Sequence, residues 1–505
     1  MVIYFYKMKT QKTISIIIGV LFLCNCFAQD KYFMKTYGDS GFEDGHIVHQ
    51  LSDTTFLIAG VSQDPATGIV QPMLLKINQF GDSLWMKRVN TSFDVDIHGF
   101  TISNDTIALC GKTEEDSSDH DIYVCQLTLQ GDEIWSIQIG DTLDDVSNSI
   151  ICLNREYFLT GSVDTGGAGL DLALIRLDYS GNIIDQNSFD YGLSEYGRWI
   201  ESVEDTALII AGYSMESDSS YSEALLTLMS LEGEQLWTKN FQNLDYSGSD
   251  SVSFGYSVEH TRDSGFVLAG WSYANIFGWS RYYEAFIVKT DYLGNEVWRD
   301  NVWYSDPWAG TGGTNFHSVE EMADGSFLLT GASRAQFICK QCEDPEFEGS
   351  GLMIVKYDKN GQMIFMNEFN PENGDGAFGT HSIELNDSTL MTVGYQGYDY
   401  ETDGSVVVVL TNLHGTLLAL ESLSAKDNTL LVYPNPSNGE IVVASEDMIS
   451  ITVYDLYGRI VSFNRFNVSE IKAHIQLDNL PNGQYIVALT KTDSSTLHAK
   501  IIISK

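Results

Sequence analysis

Six side chains with useful chemistry recur at one place in a repeated pattern. His46, His98, Arg198, Tyr256, His317 and His381 each stand a little more than a dozen residues ahead of a glycine that closes an apolar run. Imidazoles, a guanidinium and a phenol gathered in one cavity suit an anionic ligand, a sugar or a metal ion. Facing open water, the same residues would be no more than a polar lining. The residues alone leave both readings standing.

Other candidate groups are sparser. Cys339 and Cys342 form one Cys-x-x-Cys beside Glu343, Asp344, Glu346 and Glu348. One pair does not complete a structural zinc site, and in an oxidising compartment a local disulfide is the expectation. Cys110 and Cys125 pair or remain buried thiols. Residues 94–99 (Asp-Val-Asp-Ile-His-Gly) begin like a calcium loop with Asp105 at the twelfth position, but the fifth residue is His, the twelfth is not Glu, and the flanks read as strands. Calcium is a weak candidate there and in the acid-rich stretch 114–121; no other metal and no cofactor is expected. Gly-x-Ser-x-Gly, His-Glu-x-x-His and phosphate-loop patterns are missing, so no catalytic residue is nominated.

The elements that must hold the six residues come from a repeat. An apolar run ends in glycine at Gly60, Gly111, Gly161, Gly212, Gly270, Gly331 and Gly394. Each is followed by an alternating strand and a turn closed by a second glycine, at Gly81, Gly131, Gly181, Gly233, Gly294, Gly361 and Gly415. Trp85, Trp135, Trp237 and Trp298 stand four residues past their turns, placed to pack on a neighbouring sheet. Alternation bounded by such turns predicts four strands per unit, near 46–51, 56–61, 73–78 and 84–89 in the first. Seven units of this kind predict an all-β fold, a seven-bladed β-propeller over residues 29–423, since sheets stacked in a ring leave only short edges. The segment 32–38 reads like a fourth strand and is expected to complete the last blade. The first strand of each blade then lines a central channel and gathers the six residues there. Trp271, Trp279, Trp303 and Trp308 are further contact candidates in longer loops and strand ends.

The unit resembles the propeller repeats of exported bacterial proteins, a likeness that concerns fold and not function. The C-terminus carries a second one. After a linker at 424–430, the motifs around Pro434, Asn435, Pro436 and Gly439, around Tyr454, Gly458 and Arg459, and around Pro481, Gly483 and Tyr485 appear in order. Their strands and turns predict a small Ig-like β-sandwich over 431–505. This segment resembles the type A sorting domain of the type IX secretion system. The resemblance implies passage through the periplasm, export by the type IX machinery, and removal of the tail, leaving a protein released or held at the outer-membrane cell surface.

The N-terminus agrees with export. Lys7, Lys9 and Lys12 precede an apolar run from Ile14 to Leu23 and a small residue at Ala28, which describes a signal peptide over 1–28. The run is too short to cross a bilayer, so no transmembrane segment is expected after cleavage. The 505-residue chain has 28 basic and 69 acidic side chains. Residues 29–425 keep 18 of the bases and 61 of the acids. Such a surface repels nucleic acid and anionic lipid and favours a soluble monomer. The reading is a non-catalytic binding or scaffold protein for an unknown glycan or protein ligand. The alternative is an extracellular carbohydrate-active enzyme, a lyase or hydrolase, with its site at the channel.

Overall fold

Antiparallel strand pairing in the computed structural model sorts 33–412 into seven four-stranded units, the fourth to sixth linked by parallel bridges between Ser222 and Val252 and between Tyr283 and Gly313. The residues described are 32–38, 41–114, 120–140, 143–167, 169–216, 221–242, 251–276, 280–302, 312–335, 351–369, 376–385, 389–397, 404–413, 415, 430–433, 437, 439–444, 448–455, 460–465, 472–491, 496–503 and 505. Blade 1 runs Glu43–Ser52, Thr55–Gln63, Val70–Asn78 and Ser83–Arg88. Blades 2 to 6 repeat this order within 94–139, 145–189, 194–241, 251–302 and 312–369. The first strand lies innermost and the fourth outermost. The second and third strands are buried almost throughout, as in Thr55–Gln63, because residues on both faces meet the neighbouring blades.

Blade 7 is assembled from both ends of this region. Ala377–Glu384, Thr389–Gly397 and Gly404–Asn412 supply three strands, and Phe33–Tyr37 pairs antiparallel with Gly404–Asn412 as the fourth. Side chains from blades 7 and 1 share one core that includes Val48, Met73, Met391, Val406 and Val408. Thr380 Oγ1 donates to the Gly45 carbonyl at 2.8 Å across the same seam. The ring is therefore closed by strand pairing, packing and hydrogen bonding together.

The tryptophans after the turns pack as expected. Trp135 of blade 2 covers the turn of blade 3 at Gly181, and Trp237 of blade 4 covers the turn of blade 5 at Gly294. Phe365 does the same for blade 7 at Gly415.

The C-terminal region has its own core. A three-stranded sheet contributes Ile441, Val443 and Ile475, and a four-stranded sheet contributes Ile451, Val453, Val487, Leu489 and Ile501. Among the described residues no helix is long and apolar enough to cross a membrane. The expected signal peptide and all of the expected linker except residue 430 lie outside the described residues.

Candidate ligand site in the channel

Every inner strand slips its register by one residue at the same place. The slips fall at Gly45/Ile47, Ile97/Gly99, Ser147/Ser149, Gly197/Trp199, Gly255/Ser257, Phe316/Ser318 and Gly379/His381. The residues passed over are His46, His98, Asn148, Arg198, Tyr256, His317 and Thr380. A bulge bends its strand and re-aims the extra side chain; here all seven line one cavity of about 490 Å³. The first glycine of the repeat makes the bulge possible. A Cβ on Gly161 would lie 1.8 Å from the Val146 carbonyl oxygen, and one on Gly60 1.9 Å from that of Asp44.

Five of the six residues singled out by spacing are bulge residues. The sixth, His381, is the residue after its bulge and also lines the cavity. Thr380 holds the equivalent position in blade 7 and Asn148 in blade 3. Both were missed because attention went to ionisable and aromatic types; their offset from Gly394 and Gly161 would have found them.

His46 and His98 are held alike in adjacent blades. His46 Nδ1 donates to the Ile97 carbonyl at 2.5 Å and Nε2 meets Asp44 Oδ2 at 3.2 Å. His98 Nδ1 faces the Ser147 carbonyl at 3.2 Å and Nε2 faces Asp96 Oδ2 at 3.0 Å. Burial opposes charge on His46, but Asp44, Asp96 and the Ile97 carbonyl outweigh it and raise its pKa to about 9. Burial likewise opposes charge on Asp96, yet His98, His46 and Lys112 hold its carboxyl below the usual range. Arg198 differs. Its guanidinium lies 4.7 Å from the Tyr256 ring centre and donates to Asn148 Oδ1 at 3.3 Å. No carboxylate pairs with it among the described residues. His317 stacks on the other partner of this group, its ring 5.5 Å from that of Tyr256.

A floor closes the cavity. Trp199 of blade 4 reaches across the channel to stack on His381 of blade 7, with ring centres 6.0 Å apart. His381 Nδ1 has no hydrogen-bond partner among the described residues, and burial and His49 lower its pKa to about 3. Three residues past the bulges of blades 4, 5 and 6 come Glu201, Glu259 and Glu320. Burial first raises all three carboxyls, Glu259 to about 7 and Glu320 to about 8, and like charge adds to it, from Glu259 on Glu201 and Glu320 and from Glu321 on Glu259. Backbone amides support them: His260 N donates to Glu201 Oε2 at 2.7 Å and Glu384 N to Glu320 Oε2 at 3.3 Å.

The remaining candidates scatter. Trp271 packs behind the cavity against Phe254 and Tyr256. Residues 94–99 form a strand and not a loop; Asp94 accepts the Val70 amide at 2.8 Å and Asp96 serves His98. Cys110 and Cys125 are buried free thiols pushed up to about 12 by burial. Cys339, Cys342, Trp279, Trp303 and Trp308 lie outside the described residues, as do Pro434, Asn435, Pro436, Gly458 and Arg459.

In the C-terminal region Gly439 has φ +124°, a left-handed backbone on which a Cβ would strike Asp478. Its carbonyl accepts the Leu477 amide at 2.6 Å, and Tyr485 donates to the Pro481 carbonyl at 2.8 Å. Residues 431–504 match the secretion system C-terminal sorting domain. The sorting domain marks export by type IX secretion to the cell surface or outside. Gly439 directly precedes the strand Glu440–Ala444, Tyr454 lies in Met448–Asp455, and Pro481 precedes Gly483–Lys491, which holds Gly483 and Tyr485. No curated protein matches the chain in sequence. Among solved structures the chain is similar to the Neurospora crassa Pan2 WD40 domain, at 10% identity over 76% of this chain and 96% of that one, with TM-score 0.45. It is also similar to polysaccharide lyase Uly1, at 9% identity over 75% and 91%, with TM-score 0.44. A third is the β-propeller domain of the Trilobed protease from Pyrococcus furiosus, at 9% identity over 77% and 100%, with TM-score 0.38.

Proposed function

We propose that the exported propeller binds an acidic carbohydrate in the channel cavity and does not turn it over. The observation that carries this reading is Arg198: a guanidinium in a cavity, flattened on Tyr256, with no carboxylate partner among the described residues. Such a group makes strong, geometrically specific bonds to a ligand carboxylate. Trp199, in the same lining, offers ring surface to a sugar.

His46 and His98 favour binding over turnover. A general base needs a free ring nitrogen in reach of substrate. Both nitrogens of His46 and both of His98 already face acceptors within the protein.

The test is a glycan screen on the purified exported protein. Uronate-bearing oligosaccharides should be retained and neutral ones not, and R198Q should weaken retention by about tenfold or more. No retention, retention indifferent to Arg198, or release of cleaved products would overturn the proposal.

A further inference from the structure

Neighbouring blades meet at a position that recurs around the ring. It combines the start of a third strand, the turn leaving that blade, and the residue three places before the next bulge. Between blades 3 and 4 these are Asp171, Asp190 and Glu195. One carboxylate oxygen from each lies within 4.8 Å of the other two.

At two other junctions an acid at this position meets a cation or several donors within the protein. Glu43, the counterpart of Glu195 on blade 1, accepts from Ser62 Oγ at 3.2 Å and pairs with Arg88 at 3.5 Å. Glu223, the counterpart of Asp171 on blade 4, accepts from Tyr221 OH at 2.7 Å, Asn240 Nδ2 at 2.6 Å and Gln242 Nε2 at 2.8 Å.

Among the described residues, blades 3 and 4 provide no such cation or cluster of donors. Glu195 is fully buried, at 0% exposure. Its Oε1 accepts the Leu193 amide at 3.0 Å, while Oε2 has no hydrogen-bond partner among the described residues. Asp171 Oδ2 takes the Thr165 hydroxyl at 2.9 Å and Asp190 Oδ1 the Gly192 amide at 2.7 Å. Each of those two carboxyls keeps a second oxygen. An unpaired carboxylate this deep, beside two others, is a costly arrangement unless positive charge or a proton reaches it.

We propose that Asp171, Asp190 and Glu195 bind a divalent cation that staples blade 3 to blade 4. The donors are all hard oxygens and bring three negative charges, a set that suits calcium. Asp190 stands exposed on a turn, which leaves coordination positions for water. The site is independent of the cavity, but Glu195 stands three residues before Arg198 on the same strand, Ser194–Val203. A bound ion would therefore fix the part of the wall that carries Arg198.

Equilibrium dialysis of the exported protein against calcium should find one ion per chain. Both E195Q and D190N should weaken binding by about tenfold or more, since affinity follows the charge count of the ligands. In wild type the unfolding temperature should rise with calcium and fall with a chelator, and this response should vanish in both variants. D190N changes an exposed turn residue, so its fold is not in question. E223Q, at the counterpart position on the next blade, should respond to calcium as wild type does. No calcium bound by wild type, or binding that persists unchanged in both variants, would overturn the proposal.

Discussion

The mouth and the floor of the channel are built by the same inner strands, three residues apart, and they treat charge in opposite ways. In the mouth, His46 is raised to about 9 because Asp44 and Asp96 stand beside it. On the floor, His49 of the same strand is lowered to about 4 by burial alone. Glu259 and Glu320 on the floor are raised for the same reason, with like charges adding to it. Depth does not separate the two layers. His46 and Asp96 of the mouth have opposite charge beside them, whereas the groups of the floor have burial or like charges, so the floor is neutral where the mouth is charged.

The largest effect should come from removing what creates the two layers. Gly161→Ala places a Cβ against the Val146 carbonyl and forbids the bulge that turns Asn148 into the channel. A loss of about 3 kcal/mol or more is expected, read as a fall in the unfolding midpoint or a failure to recover folded protein. Gly68→Ala is the control: φ is +78° there but no atom lies within 4 Å, so about 1 kcal/mol should be lost. Equal losses would mean that the anchor glycines do not set the bulge.

Next comes the partition itself. Trp199→Ala should cost about 3 kcal/mol and open the floor to the mouth. His381, freed of its stack and rehydrated, should titrate closer to the ordinary value of 6.5 than to about 3. An imidazole that stays low in a folded variant would show that Trp199 is not what keeps the floor dry.

The smallest effects are in the pH dependence, where the layers predict different arms. The pKa of His46 is raised above its unfolded value, so its contribution is complete below about pH 6.5 and is lost as pH rises through about 9. Glu259 and Glu320 are also raised; their contribution is complete below about pH 4.5 and is lost through about 7 and 8. His49 is lowered, so its share is complete above about 6.5 and is lost as pH falls through about 4. E320Q should recover about 1 kcal/mol of the alkaline loss and leave the acid arm untouched. Denaturant midpoints across this range decide it; an unchanged alkaline arm would remove the floor glutamates from the comparison.

Much of this was legible in the chain. The paired glycines marked the seven units because a bulge and a hairpin turn each exclude a side chain, and that exclusion leaves a residue-level trace at Gly161 as at Gly60. The strands of blade 1 fell within a few residues of their expected bounds. The closing role of 32–38 was readable because its alternation matches a fourth strand. The floor was not readable. Glu201, Glu259 and Glu320 are three glutamates among many acids, and only the register established by the bulges places them together. The Asp171, Asp190 and Glu195 cluster was hidden similarly, since its members come from three elements and meet only across a blade junction.

Ring closure has a consequence for timing. The strand that shuts blade 7, Phe33–Tyr37, is among the first parts of the propeller to be synthesised, and its partner Gly404–Asn412 is the last. Joining segments so distant in sequence is entropically dear and slow compared with forming any hairpin in between. The blades can therefore be made in order, but the latch waits for the whole body. The sorting domain follows that latch in the chain. Whatever reads it meets a cargo whose every blade already exists, and whose ring is able to shut before the tail is complete.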